Sequence, residues 1–141
     1  TTLDKLFSAE QQKGMDVYLT RFFESGILLN EGNGRFRFVP FPEKAQLSNI
    51  NDFVMADFDK DGNKDLVVCG NSNDAAVMVG NYDAMAALAL KGDGKGNFEA
   101  LLHTTDGFKV RGECRKMVYI PESKTLVFLK NSAPAQIYQH N

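Results

Sequence analysis

The stretch Ala56-Asp57-Phe58-Asp59-Lys60-Asp61-Gly62-Asn63-Lys64-Asp65-Leu66-Val67-Val68 sets three aspartates in alternation, follows them with a glycine and closes on a fourth aspartate. Alternating spacing lets one tight loop turn several carboxylates toward a single point. Carboxylates crowded in this way repel one another unless a cation sits among them. Calcium is a hard cation that takes six to eight oxygens at about 2.3–2.6 Å, whereas magnesium demands near-ideal octahedral geometry and keeps its waters, so calcium is the better fit. The expected ligands are Asp57, Asp59, Asp61, the backbone carbonyl of Asn63, and Asp65 through both oxygens. Gly62 is expected to supply the positive φ that brings the chain around the ion. Lys60 and Lys64 are expected to point away and only soften the field. The competing reading is a solvated acidic turn without metal, since Asp and Gly are ordinary turn residues.

An EF-hand shares this ladder but needs a bidentate Glu at the twelfth loop position and helices on both sides. Counted from Asp57 the twelfth residue is Val68, inside the apolar run Leu66-Val67-Val68-Cys69, and Phe53-Val54-Met55-Ala56 upstream is equally strand-like. The loop therefore joins two β-strands. Further short apolar runs at Ile27–Leu29, Phe36–Phe41, Met85–Leu90, Phe98–Leu102, Met117–Ile120, Leu126–Leu129 and Gln136–Tyr138 are separated by Gly, Asn, Asp or Pro. Short strands with polar turns at regular spacing indicate an all-β sandwich, barrel or propeller.

A repeat narrows that choice. Leu28-Leu29-Asn30-Glu31-Gly32-Asn33-Gly34-Arg35-Phe36 recurs as Leu88-Ala89-Leu90-Lys91-Gly92-Asp93-Gly94-Lys95-Gly96-Asn97-Phe98: an apolar strand, a Gly-rich turn, and an aromatic opening the next strand. The spacing from Phe36 to Phe98 is about that of a four-stranded propeller blade, slightly above the usual propeller repeat lengths. The expected fold is a partial β-propeller of about two blades of four-stranded antiparallel sheet with a short N-terminal helical segment. Residues 1–14 form the helical insertion, 15–50 the back half of a blade, 51–104 a full blade carrying the loop, and 105–141 the front strands of the next. Within the helical part, Thr2 caps a turn through Leu3, Leu6 and Phe7. Ser8 and Gln11 have capping-box spacing for a second short helix, Ala9 to Lys13, which Gly14 ends. The chain opens Thr1-Thr2-Leu3, with no initiating Met, and is expected to be a fragment of a longer protein.

The ladder and the two Gly-rich turns resemble the FG-GAP/VCBS repeat of integrin-like β-propellers. Gly80-Asn81-Tyr82-Asp83-Ala84 is similar to a segment in the C-terminal part of long bacterial repeat proteins of the ASPIC/UnbV-associated type. The resemblance implies a calcium loop between the first and second strands of a blade, with ligands at Asp57, Asp59, Asp61, Asn63 through its carbonyl, and Asp65. Only one complete ladder is present, since Cys114–Ile120 runs into Pro121-Glu122-Ser123 without it, so a single site is expected. The Phe-Gly and Gly-Ala-Pro signatures of the integrin version are missing, so integrin-like adhesion does not follow.

With 141 residues, 43% hydrophobic and 24% charged, the chain reads as one soluble globular domain. A net charge of −2, with both signs mixed along the chain, gives no reason to expect nucleic acid or an anionic membrane surface as partner. No apolar run reaches the roughly 20 residues of a membrane helix. Cys69 and Cys114 are too few for a disulfide framework or metal knuckle and read as buried thiols. His103 and His140 have no Ser or Cys partner in a nucleophile turn, so no catalytic constellation is visible. Gly92-Asp93-Gly94-Lys95-Gly96 lacks the Gly-Lys-Ser/Thr ending of a phosphate loop and reads as a hairpin turn. Asn71–Asp74 reads as a solvated loop, Asp106 with Glu113 and Glu24 with Glu31 as solvated carboxylates rather than paired ones, and Phe22, Phe23, Tyr82 and Phe108 as core aromatics rather than a sugar platform.

The sequence therefore points to a calcium-binding, non-catalytic repeat segment of a bacterial protein, extracellular, periplasmic or on the cell surface. It would act as a scaffold or recognition surface. Its partners would be the calcium ion, the remaining blades of the parent protein, and, through exposed strand edges, a second copy of itself. The alternatives are a carbohydrate-binding or adhesion module, with a glycan or protein ligand, and an accessory portion of a secreted polysaccharide-degrading enzyme.

Overall fold

A computed structural model describes residues 2–73, 80–101 and 109–139. Asp74, Leu102, His103, Asp106, Phe108 and His140 lie outside the described residues. Nine strands form three antiparallel sheets among the described residues. The first is the hairpin of β1 (Gly26–Gly32) and β2 (Arg35–Pro40). The second runs β3 (Ile50–Ala56), β4 (Asp65–Gly70), β5 (Ala87–Gly92) and β6 (Phe98–Ala100) in chain order. The third is the meander β7 (Cys114–Ile120), β8 (Thr125–Lys130) and β9 (Gln136–Gln139). Such small consecutive sheets are consistent with β-propeller-like repeats.

Strand β4 organises the packing, because all six of its residues are buried. Successive strand side chains point to opposite faces, so a run without polar alternation must be covered on both. Leu66 and Val68 join Ala45, Met85, Leu88 and Leu90 in one apolar cluster, sealed by Phe41, whose ring meets Phe98 edge-on at 5.7 Å. Val67 and Cys69 join Val110, Cys114, Met117, Leu126 and Phe128 in the other, which fills the space between the second and third sheets. Cys69 and Cys114 are both free thiols, fully buried in that second cluster.

Polar clips fasten the same pair of sheets. Asp52 on β3 accepts the Met117 amide at 2.7 Å and pairs with Lys116 Nζ at 3.1 Å. Beside it, Asn51 Nδ2 donates to the Cys114 carbonyl at 2.8 Å. The first hairpin sits less tightly. An apolar groove of about 680 Å³, lined in part by Phe22, Phe38, Phe41, Phe53 and Met55, separates it from the second sheet.

The helical segment expected over residues 1–14 is not built. One helical turn at Leu3–Leu6 and hydrogen-bonded turns from Ser8 to Met15 take its place. The Ser8–Gln11 capping box does form, with the Ser8 amide donating to Gln11 Oε1 at 2.9 Å and the Gln11 amide to Ser8 Oγ at 3.4 Å. A capped turn this short cannot repay helix nucleation without an apolar face to bury, and residues 9–14 are almost entirely exposed. Gly14, at φ +85°, then turns the chain away. The β pattern also begins later than Met15. No strand occurs in the described residues 15–25, where Val17, Tyr18 and Phe23 lie exposed.

Candidate metal centre

The aspartate ladder forms the loop between β3 and β4, closed by the Ala56–Asp65 pair at the end of the ladder of backbone bonds. The backbone curls around its own carboxylates. Asp59 Oδ1 accepts the Asp61 amide at 3.2 Å, Asp61 Oδ1 the Asn63 amide at 2.8 Å, and Asp57 Oδ2 the Gly62 amide at 3.0 Å. Gly62 takes the left-handed conformation at φ +91°, as the turn requires. Lys60 is left-handed too, at φ +63°, which its residue type does not announce.

This folding gathers Asp57, Asp59 and Asp61, each offering a carboxylate oxygen with all three oxygens within 4.8 Å of one another. Asp59 and Asp61 stand at the surface, while Asp57 is half-buried. Asp57 Oδ1 is shielded from solvent and accepts no hydrogen bond from the described residues. A buried anionic oxygen left without a donor is costly, and a cation would satisfy it. The donor set is all oxygen, as a hard divalent ion prefers, so the three carboxylates could hold a metal ion.

Asp65 stands apart from the cluster. Only 6% exposed, it accepts the Phe58 amide on Oδ2 at 3.1 Å and the Gly92 amide on Oδ1 at 3.0 Å. Its carboxylate thus ties the loop to the start of the neighbouring hairpin turn. The side chain of Asn63 lies against that turn: a Cβ placed on Gly94 would fall 2.3 Å from Asn63 Oδ1. A Cβ on Gly92 would fall 2.0 Å from the Lys64 carbonyl oxygen, so the two loops are in backbone contact where only glycine fits.

The turn on β5–β6 is internally fixed by Asp93, which accepts the Lys95 amide at 2.8 Å, the Asn97 amide at 3.0 Å and Asn97 Nδ2 at 2.6 Å. This is a self-satisfied turn with no phosphate cradle. It delivers one group that loop spacing could not foretell. Lys91 Nζ ion-pairs with Asp59 Oδ2 and stands 3.0 Å from Asp61 Oδ2. The Asn63 amide, followed by Lys91, holds the Asp61 carboxyl below its ordinary range, while Asp59 and then Asp61 push the Lys91 ammonium upward. The loop's own lysines, Lys60 and Lys64, are expected from the sequence only to point away and soften the field. Lys91 becomes visible only from the β4–β5 register, in which Leu66 pairs with Leu90.

No curated protein and no solved structure matches the chain. Residues 13–68, from ahead of β1 through the aspartate loop and into β4, match the family model described as FG-GAP-like repeat, which supports the repeat family to which the loop spacing pointed.

Proposed function

We propose that this chain is a calcium-binding, non-catalytic repeat segment of a secreted or surface-attached bacterial protein, serving as scaffold or recognition surface. FG-GAP-like repeats are generally structural modules rather than enzymes, and are typical of extracellular or surface proteins. No helix among the described residues is long and apolar enough to cross a membrane. The parent would be a long repeat protein of the ASPIC/UnbV-associated type. The three sheets would then be successive propeller blades, with residues 51–104 the complete one.

The observation that carries the metal reading is the donorless oxygen of Asp57 beside the carboxylates of Asp59 and Asp61. Asp57, Asp59 and Asp61 would bind through their side chains and Asn63 through its carbonyl. Asp65 would join with the lone pairs its two amide contacts leave over, since a carboxylate can accept about four hydrogen bonds. The bound ion would stiffen the turn between β3 and β4.

Calorimetric titration with calcium tests this. One binding event is expected, with a Kd on the order of 10⁻⁴–10⁻³ M, as for extracellular calcium modules. Asp59→Ala should abolish it. No heat of binding at millimolar calcium, together with identical melting in calcium and chelator, would refute the proposal.

A further inference from the structure

Two of the three clustered carboxylates already have a cation. The ammonium of Lys91 ion-pairs with Asp59 and stands 3.0 Å from Asp61, and its side chain is 42% exposed. Asp57 Oδ1, on the shielded side, has no such partner among the described residues. The Lys91 backbone is held in place, because it lies in β5 opposite Glu99 and the next amide, Gly92 N, donates to Asp65. The side chain alone is free to leave.

We propose that Lys91 is the loop's tethered counter-cation: it neutralises Asp59 and Asp61 when no metal is bound, and must withdraw into solvent before a divalent ion can enter. An ammonium and a calcium ion cannot share the same carboxylate oxygens at contact distance, since their charges repel and they occupy the same space. Metal entry is therefore an exchange of one cation for another, and the affinity of the site is lowered by whatever Lys91 gains from its two pairs. For the same reason the loop can fold without calcium, because the repulsion among its carboxylates is already relieved. This rests on the metal-binding reading above.

The test compares the wild-type chain with Lys91→Met and Lys91→Gln, which remove the charge, and with Lys95→Met, which removes an equal charge from the adjacent turn. Calcium affinity is read by calorimetry and melting is followed with calcium and with chelator. Both Lys91 variants should bind calcium roughly two- to thirtyfold more tightly, the range expected on losing two solvent-exposed ion pairs. They should also melt lower than wild type in chelator and gain more from added calcium, while Lys95→Met follows wild type. Equal affinity and equal calcium response in wild type and both Lys91 variants would overturn the role of Lys91 while leaving the metal site standing. If none of the chains binds calcium, the metal site falls and the exchange falls with it.

Discussion

Asp65 Oδ1 accepts the Gly92 amide at 3.0 Å, joining the first residue of β4 to the last residue of β5 through a side chain that is nearly excluded from solvent. The same carboxylate accepts the Phe58 amide on its other oxygen, so one buried charge holds the aspartate loop against the Gly-rich turn.

Removing that carboxylate leaves two amide donors unsatisfied. Asp65→Ala should therefore destabilise the protein by roughly 3 kcal/mol, an effect that chelator does not abolish. Asp65→Asn keeps one acceptor and should lose less. Chemical denaturation in chelator measures both. A loss for Asp65→Ala seen only in calcium would mean the residue acts through the metal alone.

Asp52 couples the second and third sheets through the Met117 amide and Lys116. Asp52→Ala should lower stability by about 2 kcal/mol, in the range of hydrogen bonds to a charged group. Hydrogen exchange at the Met117 amide should speed up in the variant even where global unfolding is slow. Unchanged exchange there would show that apolar packing alone holds the sheets together.

Asp93 offers a pH readout within the Gly-rich turn itself. The side-chain amide of Asn97, followed by the Lys95 amide, holds the Asp93 carboxyl below its ordinary value of 3.8. A carboxyl depressed in the folded state stabilises the turn above the ordinary value and gives up that contribution as pH falls through its folded pKa. Carboxyl chemical shifts followed by NMR should give Asp93 a midpoint under 3.8, and Asn97→Ala should move it upward. A midpoint unaffected by Asn97→Ala would rule out the side-chain amide as the cause.

Much of the fold was legible from local pattern. Each of the nine apolar runs overlaps a strand, because short apolar stretches between Gly, Asn, Asp and Pro have few other stable uses. Leu66-Val67-Val68-Cys69 reads as a strand and is one, and the structure buries it on both faces. The N-terminal helix misled because a capping box specifies only how a helix begins. Nothing in residues 9–14 offers an apolar stripe to extend it.

The aspartate loop is a local object. Its alternation, and the left-handed turn at Gly62, follow from residues within a few positions of one another, so the gathering of Asp57, Asp59 and Asp61 was present in the chain as written. What surrounds the loop was not. Lys91 lies on a strand more than twenty residues away, and the contacts of Asp65 with Gly92 and of Asn63 with Gly94 exist only once β5 has paired with β4. Short-range spacing decides which carboxylates can converge, because a turn is closed by its own backbone. Strand pairing decides which amides and which ammonium meet them, because only the antiparallel register brings distant residues to the same end of the sheet.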